Sequence, residues 1–139
     1  MLMALKDKEM SVCGVDPSGG FIDFVRSNGI ECFHSLDDMK KAATMGAKME
    51  LCAAGPLMGP QAHLPWMRAW RQVRIQESAE AIQTIGAEHF VLGTDLGQSG
   101  NPSHADGLQM FVAELMAQGL SKEQIKIAGG EVAARLLMG

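Results

Sequence analysis

The feature that most constrains this chain is the regular alternation of short apolar runs with segments of helical periodicity. "MSVCGV" (10–15) is an apolar run closed by Asp16-Pro17-Ser18-Gly19-Gly20, the pattern of a strand entering a turn. "FIDFVRSNG" (21–29) sets Phe21, Phe24 and Val25 at helical spacing and stops at Asn28-Gly29, a good carboxyl cap. "IECFH" (30–34) is the next strand. Ser35, with Asp38 three residues later, resembles a capping box opening the helix "LDDMKKAATMG", with Leu36, Met39 and Ala43 along one face. "AKMELCA" (47–53) and "HFVLGTD" (89–95) read as the third and fourth strands.

Residues 54–65, "AGPLMGPQAHLP", hold three prolines and two glycines and are expected to form a long loop of the kind used for lids and binding. From about Pro65 to Ile85 the spacing of Trp66, Trp70, Val73, Ile75, Ala79 and Ile82 predicts one long amphipathic helix closed by Gly86. Ser103 with Asp106 caps a helix bearing Leu108, Phe111, Val112, Leu115 and Met116, and Ser121 with Gln124 caps the last one. Gly129-Gly130 is expected to split that terminal helix, since each glycine costs roughly 1 kcal/mol in a helix interior. Strand and helix in alternation imply an α/β fold with parallel strands joined by right-handed crossovers.

Composition bounds the rest. At 139 residues, 47% hydrophobic and mean hydropathy +0.04, the chain has material for one modest core and one domain, residues 1–139. No window is an uninterrupted apolar span, and Lys6, Asp7, Lys8 and Glu9 cut the apolar start short of a signal peptide, so a cytoplasmic location is the default. A net charge of −4 and a pI near 5.5 argue against nucleic acid as a partner. Cys13, Cys32 and Cys52 are odd in number and lack CxxC spacing, which indicates reduced thiols. The 11 methionines suit an adaptable core or interface.

In parallel α/β architectures the carboxyl ends of strands face the site, which singles out Asp16, His34, Glu50 with Cys52, and Asp95. Asp95 is the sharpest: it follows Val91 and Leu92, where an unpaired carboxylate would cost several kcal/mol if buried, so a metal, an arginine or helix amides must answer it. A loop-capping aspartate is an equally open reading. Alternation puts Glu50 and Cys52 on one strand face, with Glu50 either contacting ligand or bridging to Lys48 or an arginine, and Cys52 either a nucleophile or an inert thiol. His63, Trp66, Arg68, Trp70, Arg71 and Arg74 gather around the long loop and helix start; arginine there could clamp a carboxylate substrate or form a solvated face. "GTDLGQSG" has neither GxGxxG nor the Walker A pattern.

Over residues 87–139 the sequence resembles the carboxyl end of metal-dependent hydrolases of the amidohydrolase superfamily. There the last barrel strand presents a "GSD" or "GTD" aspartate, the loop reads much like "GQ.GNP..PDGL", and a short helix ends "NPARLLG". This chain has "GTDLGQSGNPSHADGL" and ends "GEVAARLLMG". The resemblance extends more weakly back through "DDMKKAATMGAKMELCA".

It implies a parallel sheet like the carboxyl-terminal half of a (βα)8 TIM barrel. Asp95 would be the catalytic aspartate and a ligand of a divalent metal, zinc or manganese, with His34 as a second ligand. Glu50, His63, Arg68 and Gln98 are the residues expected to contact a small-molecule substrate, an ester, lactone or amide. The family's first-strand His-x-His pair occurs nowhere in the chain. A complete barrel takes roughly 250 residues, so a second copy or the rest of a longer chain would have to complete the layer. A non-catalytic assembly or binding module is the alternative, and a thiol-based protein using Cys52 a third.

Overall fold

Two parallel strand pairs carry the fold. β1 (Cys13–Val15) lies beside β2 (Glu31–Phe33), with Cys13 opposite Glu31 and Val15 opposite Phe33. β3 (Met49–Cys52) lies beside β4 (Phe90–Gly93), with Met49 opposite Phe90 and Cys52 opposite Gly93. The computed structural model describes residues 13–15, 31–33, 35–58, 61, 68 and 73–138. The helix expected at 21–29 and the turn at 16–20 lie outside the described residues.

The described helices include α1 (Leu36–Thr44), α2 (Ala54–Met58), α3 (Ile75–Ile85), α4 (His104–Ala117), α5 (Lys122–Lys126) and α6 (Val132–Met138), with a 3-10 turn at Ala87–His89. The α/β class and the parallel pairing follow the sequence expectation. Among the described residues no helix is long and apolar enough to cross a membrane.

Where α1, α4 and α5 begin, local chemistry explains the start. Ser35 Oγ accepts the Asp38 amide at 3.1 Å, Ser103 Oγ the Asp106 amide at 3.1 Å, and Ser121 Oγ the Gln124 amide at 3.2 Å. Gln124 completes the box by accepting the Ser121 amide at 2.9 Å.

Three expectations need correction. The 54–65 segment does not start as loop: α2 runs through Pro56, because a proline in the first helical turn forfeits only an amide that has no partner there. The helix drawn from Pro65 to Ile85 is interrupted, since Arg74 is extended (φ −94, ψ 151) and its amide donates to Glu77 Oε2 at 2.9 Å, which fixes a new start at Ile75. Gly129-Gly130 does not split the terminal helix; a π turn at Ile127–Glu131 joins α5 to α6 continuously. That wider turn buries Ala128 and sets Gly129 near Leu92 of β4, where a Cβ would lie 3.8 Å from Leu92 Cδ1.

The core sits on one face of the β3–β4 pair. Met49, Phe90 and Leu92 are buried with Ala42 and Ala43 of α1, Ile82 of α3, and Phe111 and Leu115 of α4. Met116, expected on the apolar side of α4, is 38% exposed. By strand alternation Glu50, which is exposed, and Val91, which is half-buried, point the other way.

Candidate functional site

The face of β3 turned from the helices ends in Glu50 and Cys52, as the alternation predicts. Register places Glu50 opposite Val91 and Cys52 opposite Gly93. Gly93 offers no side chain, and the Glu50 carboxylate occupies the space a Cβ there would fill. The Cys52 thiol donates a hydrogen bond to that carboxylate. Burial, then the negative charges of Glu50 and Asp95, push the Cys52 thiol up from 9.0 to about 12. The cysteine is therefore a protonated thiol at neutral pH, not the thiolate that nucleophilic catalysis requires.

Beyond the strands the two segments stay side by side: the Ala53 amide donates to Gly93 O at 3.0 Å and the Ala54 amide to Thr94 O at 2.9 Å. Asp95 comes next, with φ 49, the one non-glycine residue of positive φ among those described. Aspartate tolerates this left-handed region better than most residues. Its side of the loop is open, and Asp95 is exposed. The expectation that burial forces a partner on it is thus corrected: solvent reaches the residue, because the chain turns over as it leaves β4.

The rest of the loop returns to α4. Thr94 Oγ1 and His104 Nδ1 share a hydrogen bond of 2.6 Å, Leu96 is buried against α4, and Asn101 Nδ2 donates to Gln98 Oε1 at 2.6 Å. Ser103 Oγ donates to Asp106 Oδ2 at 2.7 Å, which fixes the helix start.

The sequence candidates divide accordingly. Asp95, Glu50 and Cys52 come together at the strand mouth. Glu50 folds over Gly93 toward Cys52. Gln98 is engaged within its own loop. Arg68 is helical and exposed. His34 and His63 lie outside the described residues, as do Asp16, Trp66, Trp70 and Arg71. Thr94, His104 and the two glycines at 93 and 107 were not singled out by sequence, although "HADG" places a histidine and a glycine three apart on one helical face.

The Glu50 and Asp95 carboxylates both lie near Cys52, and carboxylates suit a hard divalent cation in chemistry. Among the described residues, however, no group of three histidine, cysteine, aspartate or glutamate side chains could hold one. Asp95 would be part of a donor set, with His34 the expected addition. No family model, curated protein or solved structure matches the chain.

Proposed function

We propose that this chain is a metal-dependent hydrolase-like protein, built as the carboxyl half of a (βα)8 barrel and acting on an ester, lactone or amide. One observation carries the reading. Asp95 is held in left-handed backbone just past β4, at the mouth where Glu50 also ends, and backbone outliers of this kind concentrate at functional sites. Asp95 would hold zinc or manganese together with His34. The cation would supply acidity, lowering the pKa of water for attack on the carbonyl carbon. Asp95 would take up the proton at its carboxylate, and Glu50, His63, Arg68 and Gln98 would orient the substrate.

A second reading, a non-catalytic assembly or binding module completed by a second copy or the rest of a longer chain, has its own support. Leu136, Leu137 and Met138 at the end of α6 are 59%, 87% and 80% exposed, an apolar cluster suited to an interface.

Elemental analysis separates them. Wild type and Asp95→Asn are equilibrated with zinc or manganese, desalted, and assayed for metal per chain. Near-stoichiometric metal in wild type that is lost in the variant supports the hydrolase reading and leads to assays on lactones, esters and amides. Metal in neither protein sinks it and leaves the module.

A further inference from the structure

The loop after β4 is fastened to the first turn of α4 at points that straddle Asp95. Before it, Thr94 Oγ1 lies 2.6 Å from His104 Nδ1. After it, Leu96 is 3% exposed and packs on Gly107, where any Cβ would collide with Leu96 Cδ1. The His104 ring also lies against Gly97, its Nε2 3.7 Å and its Cε1 3.9 Å from the position a Cβ would take. His104 and Gly107 are three apart in the helix and share a face. Residues 94, 96 and 97 thus all meet α4, while residue 95, between them, turns over with φ 49 and leaves its carboxylate exposed.

The start of α4 does not depend on this histidine. Ser103 and Asp106 cap it through the amide of Asp106 and a second bond of 2.7 Å between their side chains. The imidazole is therefore available to the loop.

We infer that His104 is a positioning residue for Asp95: its bond to the Thr94 hydroxyl and its contact against Gly97 hold residue 95 in the left-handed backbone that presents the carboxylate at the strand mouth beside Glu50 and Cys52. Aspartate tolerates that region less well than glycine does, so held neighbours favour its staying there. The use of the positioned carboxylate as a metal ligand rests on the proposed function; the anchoring itself does not.

The test has two arms. In the first, urea unfolding is measured for wild type, Asp95→Gly, His104→Ala and the double variant, without metal. Asp95→Gly raises the urea midpoint in wild type and leaves it unchanged in the His104→Ala background, where the loop has already relaxed. Additive shifts overturn the inference. His104→Asn, whose side-chain amide reaches the place of Nδ1, behaves as wild type if the hydrogen bond is what matters.

In the second arm, manganese and zinc binding are measured by calorimetry. His104→Ala weakens binding about tenfold, as loss of an outer support for a ligand does, and His104→Asn restores it. Wild-type affinity in His104→Ala overturns the positioning role. Failure of wild type to bind either ion removes the proposed function, while the unfolding cycle still decides whether His104 holds Asp95. Should His104→Ala not fold, Thr94→Val removes the other end of the same bond and takes its place in both arms.

Discussion

Cys52 joins the two carboxylates to the energetics of the whole fold. Its thiol is raised by burial first and by Glu50 and Asp95 after it, from 9.0 to about 12. In the unfolded chain the thiol loses its proton near pH 9, whereas the folded protein keeps it until about 12. Between those values the unfolded state binds fewer protons, so stability falls as pH rises; below pH 9 the contribution is fully present. The urea midpoint is therefore expected to drop more steeply from pH 8.5 to 10.5 in wild type than in Cys52→Ala; parallel curves would mean that the thiol is not buried in the fold. Glu50→Gln removes the negative charge beside the thiol and leaves only a neutral amide oxygen as acceptor, so iodoacetamide should alkylate Cys52 several-fold faster at pH 8. At this scale the sequence was informative about which side chains meet. The apolar run before Asp95 and the alternation in "KMELC" are local signals, and both survive in the structure. The backbone of Asp95 was not legible, because it is set by a contact between Thr94 and His104, ten residues apart and without periodic signature.

Helix starts were legible where a serine side chain caps an amide three residues on, as at Ser35, Ser103 and Ser121. The start of α3 was missed for a related reason: Glu77 caps the backbone of Arg74, and arginine is not a residue whose side chain announces a helix N-terminus. Periodicity alone carried Trp66, Trp70 and Val73 into the same helix. Contacts between elements are the other blind point. Leu96 enters the core over Gly107, and that lock between loop and helix is argued from shape alone. Gly107→Ala would ordinarily favour a helix by about 1 kcal/mol. Here the added methyl meets Leu96 Cδ1, and the expected outcome is a net loss of about 1–3 kcal/mol in urea unfolding. Leu96→Ala should be costly alone yet suppress the effect of Gly107→Ala when the two are combined. A Gly107→Ala variant as stable as wild type would show that the leucine has another rotamer available, and that the loop is not locked.

In the described molecule the β3–β4 pair separates two unlike environments. One face meets the helices and holds Phe90 and Leu92; the other ends in Glu50, Cys52 and the Asp95 loop. The parallel alternation was readable along the chain because strand and helix each leave their own period in sequence. How many strands share one layer was not, since pairing between distant strands leaves no period at all, and the described residues form two two-stranded pairs. The asymmetry fixes where stability resides. Phe111 and Phe90, both fully buried, join α4 to β4, with Ile82 of α3 in the same cluster, whereas Leu137 at the end of α6 is 87% exposed. Phe111→Ala should thus cost about 3–5 kcal/mol, a large part of the total of about 5–15 kcal/mol typical of a domain. Leu137→Ser should stay within about 0.5 kcal/mol if that residue faces solvent. Urea melts followed by circular dichroism compare the two at low and high protein concentration. A Leu137→Ser loss that grows with concentration would mean that the end of α6 is covered by another chain, because only association makes an exposed leucine's contribution depend on how much protein is present.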